Sequence, residues 1–301
     1  MGLFTRYLQS YSKGINLITN SCQLVNFLED SFIKSILPDF KTTKVFEDKA
    51  FLLRFLDSGT KSFKLTEERC DVEGIFNKDF SGPNLTYLVR YLLQKQYLNN
   101  DLFLLHGAAV TKADKTALIL GSSGSGKTTL SLELCLNRGF EFIGDETILF
   151  NLKNGGVSAG NDYIRVDTDN LTVCQALGLE GSGEGKKILS VEELRIKKRV
   201  LPSQVDVIMY PKVLPDLKQV KLLGEEESIL NMFYEVSDPV RAPGYALVNF
   251  GKALPSLDSP KMSSKRLKMV KELIGRGVPS YAIKSSFTFI SGFLEDLIDE
   301  V

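Results

Sequence analysis

The chain has 301 residues, of which 43% are hydrophobic and 25% charged, with 37 basic and 37 acidic side chains. A formal net charge of zero removes any global electrostatic argument for nucleic acid or an anionic membrane, and no uninterrupted apolar run approaches membrane-spanning length. Cys22, Cys70, Cys135 and Cys174 are widely scattered, which argues against a disulfide framework or a zinc site and for a reducing compartment. With no signal peptide or myristoylation signal read at the start of the chain, a cytoplasmic location is expected.

Residues 1–99 carry no chemical motif and read as a small N-terminal α/β region that serves as scaffold or as a substrate-docking module. Apolar residues from Ile15 to Leu37 recur at roughly helical spacing, predicting one helix closed by Pro38. Lys44–Leu56 and Lys61–Leu65 read as strands, and Asn84–Gln96 as a helix.

Residues 100–301 read as a second domain, densest in signals between Leu102 and Leu149. Strands are expected at Leu102–Leu105, Ala108–Thr111 and Thr116–Leu120, a helix from Thr129 stopped by Gly139, then strands at Phe140–Ile143 and Thr147–Phe150 and a turn at Lys153–Gly156. The close pairing of short strands predicts a mixed sheet, not a repeating strand–helix array. Four glycines between Gly178 and Lys187 suggest a surface loop, either a linker or a lid. Val205–Tyr210 reads as a strand ended by Pro211, and Glu225–Val236 as a helix. Ser259 and Pro260 cap and start another helix, which runs to about Arg276. A strand at Val278–Ile283 and a last helix near Phe287–Ile298 close the chain.

Gly121-Ser122-Ser123-Gly124-Ser125-Gly126-Lys127-Thr128 fits G-x-x-x-x-G-K-[ST] between a buried strand and a helix N-terminus. Glycines and serines let backbone amides close around phosphate oxygens. Lys127 reaches the β- and γ-phosphates, and the Thr128 hydroxyl is placed for Mg²⁺. Thr129, the next residue on the helix, is counted with the phosphate-binding residues. Asp145 and Glu146 follow an apolar strand eighteen residues after Lys127 and are candidate Mg²⁺ ligands or a general base. His106, the one histidine in the chain, ends a strand; if that strand pairs beside the loop strand, it lies near Asp145, where it could orient the carboxylate and share its proton.

The order His106-Gly107, the Gly121–Thr128 loop, and Arg138-Gly139-Phe140 leading to Asp145-Glu146 resembles the HPr kinase/phosphorylase family and its wider set of HPr-kinase-like proteins. The resemblance is carried by about residues 102–150. It implies a phosphoenolpyruvate-carboxykinase-like α/β nucleotide fold, ATP and Mg²⁺, and phosphate transfer to a hydroxyl of a peptide, protein or small-molecule acceptor. It also implies Asp145 as base with His106 beside it, and Thr128 and Glu146 near the metal. Glu146 stands where that family has a second aspartate, and the family's Glu-Ile-Arg-Gly segment is missing, so HPr itself is not the expected acceptor. Homo-oligomers occur among such kinases. The alternative is a nucleotide-binding regulatory protein with weak or no phosphotransfer. A nucleic-acid motor is disfavoured because Asp206 begins its strand where a motor's acid would end it. Basic residues at Arg195, Lys197, Lys198 and Arg199 are candidate contacts to phosphate or an acidic substrate, Arg241 is a candidate transition-state arginine, and Lys261, Lys265, Arg266, Lys268 and Lys271 read as a solvated helix face.

Overall fold

A strand occupies the start of the N-terminal stretch expected to form one helix. A computed structural model describes all residues except 1, 170–173, 175–184, 201, 242–246, 252 and 301. Two compact units are present, Met1–Asn100 with Val240–Leu257, and Asp101–Pro239 with Asp258–Val301. The segment from Val240 to Leu257 thus groups with the first unit, whereas the sequence reading kept residues 100–301 together.

The first unit contains β1 (Phe4–Ser10), β2 (Lys13–Thr19), α1 (Cys22–Phe27), α2 (Ser31–Ile36), β3 (Lys41–Thr43), β4 (Phe51–Asp57), β5 (Ser62–Leu65), β6 (Arg69–Gly74) and α3 (Gly82–Leu98). Its sheet has the order β3-β1-β2-β4-β6-β5. The single helix expected over Ile15–Leu37 is corrected to a strand and two short helices. Ile15 and Leu17 are buried on β2, and the Ser21 and Asp30 side chains each accept from a backbone amide to start a new helix. The strand expected from Lys44 begins only at Phe51, and Val45 and Phe46 are exposed ahead of it. α3 opens with a capping box between Ser81 and Asn84 and with Pro83 in its first turn.

The second unit continues with β7 (Leu102–Leu105), β8 (Ala108–Lys112), β9 (Lys115–Ile119), α4 (Lys127–Asn137), β10 (Glu141–Gly144), β11 (Ile148–Asn151), β12 (Gly156–Gly160), β13 (Tyr163–Asp167), β14 (Lys186–Ser190), β15 (Ser203–Gln204), β16 (Val207–Val213), β17 (Lys218–Leu222), α5 (Glu225–Arg241), α6 (Pro260–Gly275), β18 (Ser280–Ser285) and α7 (Phe287–Glu300). The main sheet is mixed, in the order β10-β8-β9-β16-β18-β17; a second sheet runs β15-β12-β11-β7, and β13 pairs with β14.

α4 lies between two apolar clusters. Leu130 and Leu134 pack with Ala117, Ile119, Met209 and the α7 residues Ile290 and Leu294, while Leu132 packs with Phe142, Ile164 and Val166. The two i,i+4 leucine pairs thus face opposite sides, as helical geometry requires.

Pro211 does not end its strand; β16 runs through it to Val213. Ile208 N donates to Pro279 O, while Met209 O accepts from Leu120 N. Odd residues of β16 therefore direct their backbone groups toward β9, which is paired with β16 only as far as Met209. Pro211, which has no N–H, sits where that neighbour has already left the sheet.

The cap expected for α6 is present: the Ser259 side chain accepts from Met262 N. Its basic face is not wholly solvated, because Arg266 is completely buried and donates to Asp258 Oδ1 at 2.7 Å. Among the described residues, no helix is long and apolar enough to cross a membrane.

Candidate active site

Three connections emerge from one edge of the main sheet. β8 runs antiparallel to β9, with Ala108 opposite Ile119, and β10 runs antiparallel to β8, with Gly144 opposite Ala109. The start of β8 and the ends of β9 and β10 therefore share that edge. His106-Gly107 carries the chain from the second sheet into the main sheet, and Asp145–Thr147 carries it back. Because β7 pairs with β11 and β8 with β10, the two crossings run side by side. His106 Nδ1 lies 2.9 Å from the carbonyl oxygen of Glu146 and 4.0 Å from its carboxylate Oε1.

The second crossing is tight. Thr147 N donates to Asp145 O at 2.6 Å, and Glu146 adopts φ 62°. A non-glycine residue in that region costs on the order of 1–3 kcal/mol and persists only where its surroundings hold it. An irregularity in the β10–β8 register between Phe142 and Gly144 precedes the turn and re-aims it. Gly160 supports it from below: a Cβ there would meet Ile143 O at 2.3 Å and Gly144 Cα at 2.5 Å.

The glycine loop follows β9. Gly126 needs to be glycine on two counts, its φ of 100° and a would-be Cβ 2.5 Å from Val213 Cγ2. α4 then starts at Lys127 without any side-chain cap. Its first-turn amides have no intrahelical acceptor and face an anion with the positive end of the helix dipole. Ser122, Ser123 and Gly124 are exposed, Gly121, Thr128 and Thr129 half-buried, and Ser125 buried. The Ser125 hydroxyl has no hydrogen-bond partner among the described residues.

Lys127 is only 6% exposed. Its ammonium donates to the loop's own carbonyls, Gly121 O at 2.7 Å and Ser122 O at 3.1 Å. Burial lowers its pKa, opposed by the charges of Asp145, Glu146 and Glu235.

Asp145 is 2% exposed. Its Oδ2 accepts from the Thr128 hydroxyl at 2.8 Å, and its Oδ1 has no hydrogen-bond partner among the described residues. Burial pushes its carboxyl up to about 6; the Thr128 hydrogen bond and the charge of Lys127 restrain the rise, and the charge of Glu146 adds to it. Thr128, Asp145 and Lys127 thus stand together, and His106 meets the same turn at Glu146.

These groups fit Mg²⁺ in kind. They are hard oxygen donors, and one is a buried carboxylate oxygen lacking a hydrogen-bond partner among the described residues. Among the described residues, no cluster of three His, Cys, Asp or Glu side chains could hold a metal alone.

Of the basic residues at 195–199, Arg195 is exposed and the other three pair with carboxylates outside the loop. Lys197 pairs with Glu141, Lys198 with Asp162 at 2.8 Å, and Arg199 with Asp114 at 2.7 Å. Phe142 N donates to Lys197 O and Arg199 N to Phe142 O, so this stretch lines the outer edge of β10. Most of the glycine-rich stretch at 178–187 lies outside the described residues, as does the Arg241 side chain; Lys186 and Lys187 belong to β14.

Two site neighbours carried no sequence signal. Glu235 on α5 acts electrostatically on Lys127; burial raises its own pKa and the charge of Lys127 lowers it. The buried Asn161 accepts from Asp145 N at 2.8 Å.

The chain matches no protein-family model and no curated protein. Among solved structures it is similar to the HPr(Ser) kinase/phosphatase from Coxiella burnetii, at 14% identity and a TM-score of 0.31, over 65% of this chain and 94% of that one. That is a distant structural likeness, and the geometry of the site carries the functional reading.

Proposed function

We propose that the second unit is a phosphotransferase that binds ATP with Mg²⁺ at Gly121–Thr129 and passes the γ-phosphoryl group to a hydroxyl of a peptide, protein or small-molecule acceptor. The observation that carries this reading is the junction of an uncapped helix N-terminus with a buried carboxylate: Thr128 Oγ1 lies 2.8 Å from Asp145 Oδ2, while Oδ1 lacks a hydrogen-bond partner among the described residues.

The loop amides and the Lys127 ammonium hold the phosphates. To do so Lys127 exchanges its bonds to Gly121 O and Ser122 O for phosphate oxygens. Thr128, Asp145 and Glu146 are the residues that would hold Mg²⁺, which supplies charge neutralisation on the phosphates when bound. Asp145 takes the proton from the acceptor hydroxyl. A carboxyl raised to about 6 is a better base than an exposed one and is still ionised at neutral pH. His106 steadies the peptide of Glu146, and thereby the neighbouring Asp145. Lys127 also offsets the negative charge that develops on the transferred group.

The test is binding followed by transfer. The wild-type chain should bind a fluorescent ATP analogue with Mg²⁺, and Lys127→Ala should weaken binding and lower any turnover by about 10²-fold or more. Asp145→Asn should retain nucleotide and lose transfer of labelled γ-phosphate to an acceptor. Transfer unaffected by Asp145→Asn refutes the role of Asp145; tight nucleotide binding with no transfer to any acceptor or to water selects a regulatory nucleotide sensor instead.

A further inference from the structure

Asp145 gains its position from a segment that has no contact with phosphate chemistry in the reading above. Its backbone N–H, buried at the end of β10, donates to Asn161 Oδ1 at 2.8 Å. Asn161 is 1% exposed, and its amide nitrogen donates to Tyr163 O at 2.7 Å, which fixes the orientation of the amide. Lys198 holds the same turn from the other side. Its ammonium donates to Asn161 O at 2.7 Å and to Gly160 O at 3.2 Å, pairs with Asp162 at 2.8 Å, and lies 5.5 Å from the centre of the Phe142 ring. Phe142 is itself on β10, two residues before Gly144. Lys198 therefore grips the 160–162 turn and the strand that delivers Asp145 together.

We propose that Asn161, held in place by Lys198, is a positioning residue that sets the Asp145–Glu146 turn for the metal–phosphate complex; this rests on the phosphotransferase reading. Three features require such a brace. Glu146 sits in a left-handed conformation that its own side chain does not favour. The Asp145 Oδ1 atom has no geometric hydrogen-bond partner among the described residues, and the side-chain hydrogen bond to the carboxylate, from Thr128, comes from a residue that must also serve the ion. The backbone then largely defines where the carboxylate points; Asn161 holds it at Asp145 N, while His106 meets it at Glu146 O. The basic residues at 197–199 accordingly act as a clamp on β10 and not as a phosphate contact.

The experiment titrates Mn²⁺, as a paramagnetic stand-in for Mg²⁺, into the full-length chain saturated with ADP and follows free Mn²⁺ by electron paramagnetic resonance. Metal affinity is read whether or not an acceptor is known. Loss of a side chain that orients a metal ligand costs about 10–100-fold in affinity, so Asn161→Ala should weaken Mn²⁺ by about tenfold or more while leaving metal-free ADP affinity unchanged. In an Asp145→Asn background the same substitution should have no further effect, because the group it orients is gone. Lys198→Met, which keeps an aliphatic stem against Phe142, should act in the same direction and covers the case of an Asn161 variant that fails to fold. Unchanged Mn²⁺ affinity in Asn161→Ala, or an equal loss with and without Asp145, overturns the positioning role. A wild-type chain that binds no ADP, or whose Mn²⁺ affinity is indifferent to Asp145→Asn, overturns the reading of the site itself.

Discussion

Asp145→Asn should make the ligand-free chain more stable at neutral pH. Burial raises the Asp145 carboxyl from its ordinary 3.8 to about 6, so the folded chain binds this proton more tightly than the unfolded chain does. That preference stabilises the fold in full below about pH 4 and is lost as pH rises through 6. Two pKa units correspond to about 3 kcal/mol at roughly 1.4 kcal/mol per unit. Asparagine is nearly isosteric with the protonated acid and can still accept from the Thr128 hydroxyl, so wild type and variant should be matched near pH 4. At pH 8, with EDTA present, the variant should be about 3 kcal/mol more stable, equivalent to a rise of roughly 6–12 °C in melting temperature for a unit of this size. Thermal melts followed by circular dichroism between pH 4 and 8 measure this directly. An Asp145→Asn variant no more stable than wild type at pH 8, or a difference that does not change with pH, would refute the claim that this carboxylate is buried at a cost. A buried acid held at a cost in stability is what the proposed function predicts for this position.

Two further substitutions probe the framework. Gly126→Ala places a Cβ 2.5 Å from Val213 Cγ2 at a φ of 100° and should cost about 1–3 kcal/mol; urea denaturation reads the loss, and titration with a fluorescent ADP analogue should show weakened binding. Asp258→Ala leaves the Arg266 guanidinium, 0% exposed, without its carboxylate and should destabilise by about 3–5 kcal/mol. Adding Arg266→Met to that variant should recover most of the loss, which chemical denaturation of the single and double variants compares.

Several elements were legible because their signals are local. The strand–glycine loop–helix succession from Lys115 to Asn137 follows from an apolar run, three glycines at positive φ and leucines spaced four apart. The start of α6 follows from Ser259 and Pro260, whose capping chemistry involves only the next three residues. Ile15–Leu37 does not form one helix because the roughly helical recurrence of its apolar residues is coincidental at the start, where strand pairing with β1 and β4 claims Ile15 and Ile18. Pro211 was misread because its effect depends on which neighbour its missing N–H would face, a fact about sheet order.

By itself the sequence determined that a glycine loop opens a helix and that paired acids end a nearby strand, since covalent spacing and backbone sterics decide both. Only the tertiary structure decided that His106 meets Glu146 forty residues away, because two sheets exchange the chain at adjacent crossings. It alone pairs the basic stretch at 197–199 with Glu141, Asp162 and Asp114, which come within reach only on folding. Burial of the Asp145 carboxylate, which shifts its proton affinity, likewise depends on how Gly144, Gly160 and Asn161 pack around it, and no local pattern encodes that.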